Sequence, residues 1–310
     1  MRAQRLPRRA PESSSDAQIQ RRLALFNQKR LRPAFAAGGD WSADLAEEIE
    51  ARGLEARFVE AERARLAPKL DAVPRESAAF LRWFEDLKRT GPGQGDALFP
   101  WLARDADLEH LRWFLAQEVA GEAGFDDLLA MTLVRFPLGP KLEMARNFWD
   151  EMGRGHAGGV HGVLLMRVTE DLDLRPKLED TVWESLALAN LMVALAANRR
   201  YAYQAVGALG AIEMTAPGRV AQVNAGMKRL GLAAPTRAYF QLHAGLDVEH
   251  SAAWNREVIG PLVAAEPRAA RAIAEGALLR LAAGARCFAR YRAELGVETE
   301  AKTEDDAVAA

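Results

Sequence analysis

The stretch HAGLDVEH, residues 243–250, places two of the chain's five histidines and one aspartate within eight residues. Spacings of four and three return side chains to one face of an α-helix, so His243, Asp247 and His250 form a single stripe with the carboxylate in the middle. Two imidazoles flanking a carboxylate make a metal-ligand set, provided that the stripe faces inward and other ligands face it. The remaining histidines sort by context. His110 follows Glu109 on a charged helical stretch and reads as solvated, and His156 falls in the glycine-rich GRGHAGG, a poor place for a ligand. His161 is the third candidate imidazole.

A carboxylate in apolar surroundings is costly unless something offsets its charge, and a metal ion is one such partner. Glu213 is of this kind: the eight residues before it, AVGALGAI, contain no polar side chain. Glu151 closes the aromatic stretch ARNFWDE with Asp150 beside it, and the pattern does not choose which of the two points inward. Glu118 and Glu122, one turn apart in FLAQEVAGEAGF, are further candidates, with the polar edge of an amphipathic helix as the alternative reading. Mixed imidazole and carboxylate ligands suit iron or manganese and, less selectively, zinc. Helical bundles with inward carboxylates and histidines also build di-iron centres, but the Glu-x-x-His motif of the ferritin-like kind does not occur here.

The elements that must position these residues are helical almost throughout. Apolar residues return every three or four positions in DAQIQRRLALFNQKRL, SAAFLRWFEDLKRT, DLEHLRWFLAQEVAGEAGFDDLLAMTLV and KLEMARNFWDEMG, and in the stretches that follow to RAEL at residue 295. Breaks are expected at GPGQG, FPLGP, GRGHAGG, APG and AAP, where glycine and proline stop helices. No strand-like alternation and no internal repeat is found. The expectation is an all-α bundle: a disordered basic tail over residues 1–17, a helical extension over 18–74, one domain over 75–296 and a disordered acidic tail over 297–310.

Forty-one basic and 43 acidic side chains nearly cancel, which gives no reason to expect a nucleic-acid partner. No apolar run approaches the length of a membrane span, and the arginine-rich start lacks the apolar region of a secretory signal. A single cysteine, Cys287, excludes an intrachain disulfide and fits a reducing compartment, so the expected location is the cytoplasm. In its alanine-rich helix Cys287 reads as a buried small hydrophobe.

With these residues in view, the chain resembles the haem-oxygenase-like di-iron oxidases and oxygenases, also described as iron-containing redox enzymes. The family's third core helix carries His-x3-Asp-x2-His, matched by His243, Asp247 and His250; its second supplies a glutamate, matched by Glu213 thirty residues before His243. Its first ligand segment supplies a glutamate and a histidine, matched by Glu151 and His161, and some members add an upstream glutamate, for which Glu122 is preferred to Glu118. FWDEMG, NRRYAYQAVGALGAIE and YFQLHAGLDVEH are similar beyond the ligands.

The resemblance implies a haem-oxygenase-like bundle holding two Fe(II) ions, with manganese as an alternative metal, O2 as co-substrate, no haem, and Asp247 or Glu213 able to bridge. It implies N-oxygenation, desaturation or oxidative C–C cleavage of a small amine, amino acid or carboxylic acid. An external electron donor and a homodimeric partner are compatible with it. Arg199, Arg200, Tyr201 and Tyr203 offer groups for a substrate carboxylate, and Gly207 and Gly210 near Glu213 read as close helix packing or as room for substrate. Two other readings compete: a metal-free enzyme of the same fold, thiaminase-like or cofactorless, and a non-catalytic metal-binding scaffold.

Overall fold

The structure is a computed structural model that describes residues 15–33, 40–122 and 124–298. Among these residues it is all-α, a haem-oxygenase-like bundle without strands. The helices are α1 (Ser15–Leu31), α2 (Trp41–Leu66), α3 (Ser77–Thr90), α4 (Leu98–Arg104), α5 (Leu108–Gly121), α6 (Phe125–Thr132) and α7 (Leu138–Glu151). They continue with α8 (His161–Asp171), α9 (Trp183–Ala197), α10 (Ala202–Arg229), α11 (Ala238–Ala253), α12 (Gly260–Ala265) and α13 (Ala269–Leu295). No helix among the described residues is long and apolar enough to cross a membrane.

α9 and α10 form the centre. The α9 sequence SLALANLMVALA is apolar on every side, and a helix of that kind must be covered on every side. α1, α5, α6 and α13 cover it. Its one buried amide, Asn190, is satisfied by α1: it accepts from the Asn27 side chain at 2.8 Å and donates to the Gln20 carbonyl at 2.8 Å and side chain at 2.9 Å. α2 lies against α13 and α9, with Arg63 bonded to Glu275 of α13 at 2.9 Å. Residues 18–74, set apart in the sequence as an extension, thus contribute polar groups that the bundle's own buried polar groups need.

α10 packs against α13, α11 and α4. Its closest approach is to α13, where two glycines face the other helix's backbone reciprocally. A Cβ on Gly207 would fall 1.8 Å from the Ile273 carbonyl oxygen, and one on Gly276 would fall 1.8 Å from that of Gln204. Of the two roles open to Gly207 in the sequence, the structure gives it close packing.

Several expectations need correction. The break at APG does not occur: α10 runs through Pro217 without interruption. The proline only removes the amide that would have met the Glu213 carbonyl, and contacts with three neighbouring helices hold the segment helical. Conversely, the stretch from residue 107 to 134 is two helices, because Glu122 adopts an extended conformation and ends α5. His110 is not merely solvated: its amide donates to Asp107 and its ring faces the Asp107 amide, a reciprocal cap at the start of α5. The expected tails lie outside the described residues except for residues 15–17, which open α1, and 297–298, which follow α13. Cys287 is buried, as expected, and burial pushes its thiol up to about 12.

The reciprocal glycine contact predicts that Gly207→Ala or Gly276→Ala costs at least the ~1–3 kcal/mol of ordinary overpacking. Gly245→Ala on α11, where nothing lies within 4 Å, should instead gain about 1 kcal/mol from helix propensity. Denaturant titration of the three variants checks the opposite signs.

Candidate metal centre

The site is assembled from α7, α8, α10 and α11. α7 has a buried polar face, Glu143, Asn147 and Glu151, at successive intervals of four. After Glu151 the chain reverses through the glycine-rich loop 152–160. Gly153, at φ +60°, sits so close to the returning strand of the loop that a Cβ there would meet the Gly159 carbonyl carbon at 2.4 Å. An isolated antiparallel bridge between Met152 and Val160 closes the loop. His161, the first residue of α8, is thereby returned against Glu151, with Nδ1 at 2.6 Å from the glutamate Oε2. The irregular segment is what makes the Glu–His pair local.

Glu213 enters from α10 and His243, Asp247 and His250 from α11. Glu151, His161, Glu213, Asp247 and His250 are buried and His243 is half-buried. Two groups of possible ligands result, in each of which the donor atoms lie within 4.8 Å of one another: Glu151, His161 and His243, and Glu151, Glu213 and His250. Glu151 belongs to both groups, which neither Asp247 nor Glu213 does. Asp247 enters neither group but lines the same cavity. Glu122 is exposed along that cavity wall, its Oε1 accepting the Phe125 amide at 3.0 Å, and Glu118 is turned to the Tyr291 hydroxyl. Neither joins a ligand group.

The neighbours of these residues leave ligand atoms free. His250 Nε2 lies 3.1 Å from Asp150 Oδ2, while its Nδ1 points towards Glu213 Oε2 at 3.5 Å. His243 Nδ1 faces the Tyr239 carbonyl at 2.7 Å, which fixes the proton there and leaves Nε2 as the lone-pair nitrogen. Asn147 donates to Glu213 Oε1 at 2.7 Å. Nδ1 of His161 and Nδ1 of His250 are buried without a hydrogen-bond partner. For His161 this holds with a carboxylate oxygen 2.6 Å away, so the two atoms are directed at common space rather than at each other. Buried donors and acceptors are nearly always satisfied. Two orphaned imidazole nitrogens among carboxylates fit a metal ion bound between them.

The electrostatics agree. Burial pushes the Glu151 carboxyl up to about 8, with Glu213 adding to the shift. Asp247 is driven up to about 9 by burial, Glu213 and Glu151. Burial lowers His161 and His243 to about 4, helped by His250 and His161 respectively. For His250 burial opposes the charged form, but Glu213, Asp150 and Asp247 outweigh it and raise the group to about 9. Without metal the cluster holds protons that a divalent cation would displace.

Comparison with known proteins is decisive at this point. The family model for iron-containing redox enzymes matches residues 112–285, more than half of the chain and the whole of the ligand set. The chain belongs to this family. Among curated proteins, no match to this iron-containing redox enzyme is found. Among solved structures, it is similar to a CADD-like protein of unknown function from Nostoc punctiforme, at 16% identity and a TM-score of 0.49, over 77% of this chain and 97% of that one.

Sequence reasoning missed the residues that hold the ligands. Asp150 was an undecided alternative to Glu151, yet both are used: Glu151 faces the ligand groups and Asp150 faces His250. Asn147, one turn before Glu151 on the same face, was legible only from that spacing. The proposed carboxylate-binding groups at the start of α10 lie elsewhere. Arg199 donates to the carbonyls of Met131 and Thr132, Tyr201 donates to Glu60 at 2.7 Å with Arg200 beside that carboxylate, and Tyr203 packs edge-on to Phe136.

Two predictions follow from this geometry. Raised acid groups stabilise the metal-free protein at low pH and lose that contribution as pH rises through about 8 to 9, the values for Glu151 and Asp247; His250 acts in the same sense. His161 and His243 contribute above 6.5 and lose it towards 4. The thermal midpoint of the metal-free protein should therefore fall between pH 6.5 and 9, and Mn(II) or Fe(II) should abolish that fall; a flat metal-free profile would contradict the protonated cluster. Replacing Asp150 by alanine should weaken metal binding about 10–100-fold, the usual cost of losing a carboxylate that orients a ligating histidine, as read by competitive chelator titration.

Proposed function

We propose that this iron-containing redox enzyme is a non-haem di-iron oxidase or oxygenase that uses O2 to oxidise a small amine, amino acid or carboxylic acid, by N-oxygenation, desaturation or oxidative C–C cleavage. The observation that carries the reading is the pair of ligand groups sharing Glu151, with buried imidazole nitrogens left unpartnered. A metal-free enzyme of the same fold would bury Glu151, Glu213 and Asp247 with protons and the His250 imidazolium as their only compensation, and would leave the unpartnered imidazole nitrogens unexplained.

Ferrous iron bound here supplies the electrons for reducing O2, and a three-histidine, three-carboxylate set is suited to hold it. The chain's own residues do the rest. Asp150 and the Tyr239 carbonyl fix the rings of His250 and His243, and Asn147 fixes the Glu213 carboxylate. The loop 152–160 holds His161 against Glu151. Leu128, Leu165, Leu188, Met192 and Ile212 make part of the adjoining wall apolar, beside which an apolar substrate body would fit.

Anaerobic loading with Fe(II) should give two ions per chain, and the loaded protein should consume O2. Glu213→Ala should reduce that consumption by more than the roughly 10–100-fold that supporting residues cost, with the helical circular-dichroism signal retained. One ion or none would remove the di-iron reading, and native O2 consumption by Glu213→Ala would remove Glu213 from the ligand set. Two ions with no reaction towards O2 would favour the metal-binding scaffold.

A further inference from the structure

The ligand groups open onto a cavity of ≈ 140 Å³, whose wall includes one cation that the metal site does not use. Arg280, on α13, lines this cavity together with Glu151, Glu213, His243 and Asp247. Its Nε is buried and has no hydrogen-bond partner, and no carboxylate forms an ion pair with its guanidinium among the described residues. Glu118 and Glu122 act on it through their charge without an ion pair, Glu118 being bonded to the Tyr291 hydroxyl and Glu122 to the Phe125 amide. A second guanidinium lies near the first. Arg219 donates to the Thr215 hydroxyl at 2.9 Å and lies over the rings of Phe99 and Phe288, with Glu118 the acid whose charge reaches it. Burial lowers both arginines, and the charge of Arg280 helps bring Arg219 to about 9.

Arg280 is half-buried, its Nε lacks a hydrogen-bond partner and no carboxylate lies within ion-pair distance among the described residues, so its fork has capacity left for an anion. The planar fork of arginine matches a carboxylate with two parallel hydrogen bonds. The lining also includes the apolar Leu128, Leu165, Leu188, Met192 and Ile212, and the acids Glu122 and Asp126. A cavity of about 150 Å³ accommodates a benzene-sized body.

We infer that Arg280 is the substrate anchor: it binds the carboxylate of a small carboxylic acid whose compact apolar body extends towards the ligand groups around Glu151. This rests on the di-iron reading for the chemistry, but the anchor itself is a binding property and can be measured apart from turnover. It selects, among amines, amino acids and carboxylic acids, those that carry a carboxylate, and it excludes simple amines.

Hexanoate and hexanamide, equal in shape and different in charge, are the probes. Each is titrated calorimetrically into full-length protein before and after anaerobic Fe(II) loading, with iron content measured on the same samples. The wild type should prefer hexanoate at least tenfold, about 1.4 kcal/mol. Arg280→Gln should lose that preference while binding hexanamide and iron as before, and Arg280→Lys should recover part of it. A wild type that does not distinguish the two probes overturns the anchor without recourse to any variant. So does an Arg280→Gln protein that keeps the preference, since the carboxylate then binds iron or another group. An Arg280-dependent preference in protein that takes up no iron upholds the anchor and overturns the di-iron reading. Normal iron loading without the preference does the reverse.

Discussion

Three carboxylates and three imidazoles share one corner of the core, and the rest of the architecture answers to that constraint. Glu151, Glu213 and Asp247 cannot all ionise in a low-dielectric space without a cation, and the raised positions of Glu151 and Asp247 express the conflict. The surrounding structure resists the two usual escapes. Side chains cannot swing out to water, because Asn147, Asp150 and the Tyr239 carbonyl hold Glu213, His250 and His243 in place. The imidazoles neutralise the acids only in part: His250 faces Asp150 and Glu213, but the approach of His161 to Glu151 lacks hydrogen-bond geometry. A cluster held in this state would need little reorganisation of its side chains to bind a metal ion.

Much of this was legible in the sequence, and the reasons differ from residue to residue. The stripe His243, Asp247, His250 needed only helical spacing, since all three sit on one helix. Glu213 was visible because its neighbours in sequence are also its neighbours in the core: α10 is buried on most of its faces around that point. Glu151 and His161 were harder. They are joined by a loop whose turn residues, including Arg154 at φ +52°, follow no helical period, so only resemblance to a family paired them.

What sequence did not give depends on contacts between helices far apart in the chain. Asp150 beside Glu151 looked like an alternative because adjacent residues on a helix point about 100° apart, and nothing local says that α11 waits on one side and α8 on the other. The break expected at APG failed for a related reason. Local propensity favours an end at Pro217, but α4, α11 and α13 press on α10 along its length, and their contacts outweigh one missing amide. Arg280 lies in GALLRLAAGARC, a run that reads as an ordinary amphipathic helix; its position against the cavity appears only when α13 is laid beside α10.

The bare contact between Gly207 and Gly276 makes that last alignment rigid. From this crossing Glu213 lies six residues on along α10 and Arg280 four residues on along α13, about 9 Å and 6 Å by helical rise. Arg219 resting on the Phe288 ring farther along shows that both helices leave the crossing in the same direction. The ligand and the cation are thus mounted on two parallel rails pinned at one point, where backbone touches backbone and no rotamer can slip. Side chains lining the cavity can change its width, but the span between its two charged ends is gauged by a contact that has no side chain to mutate away.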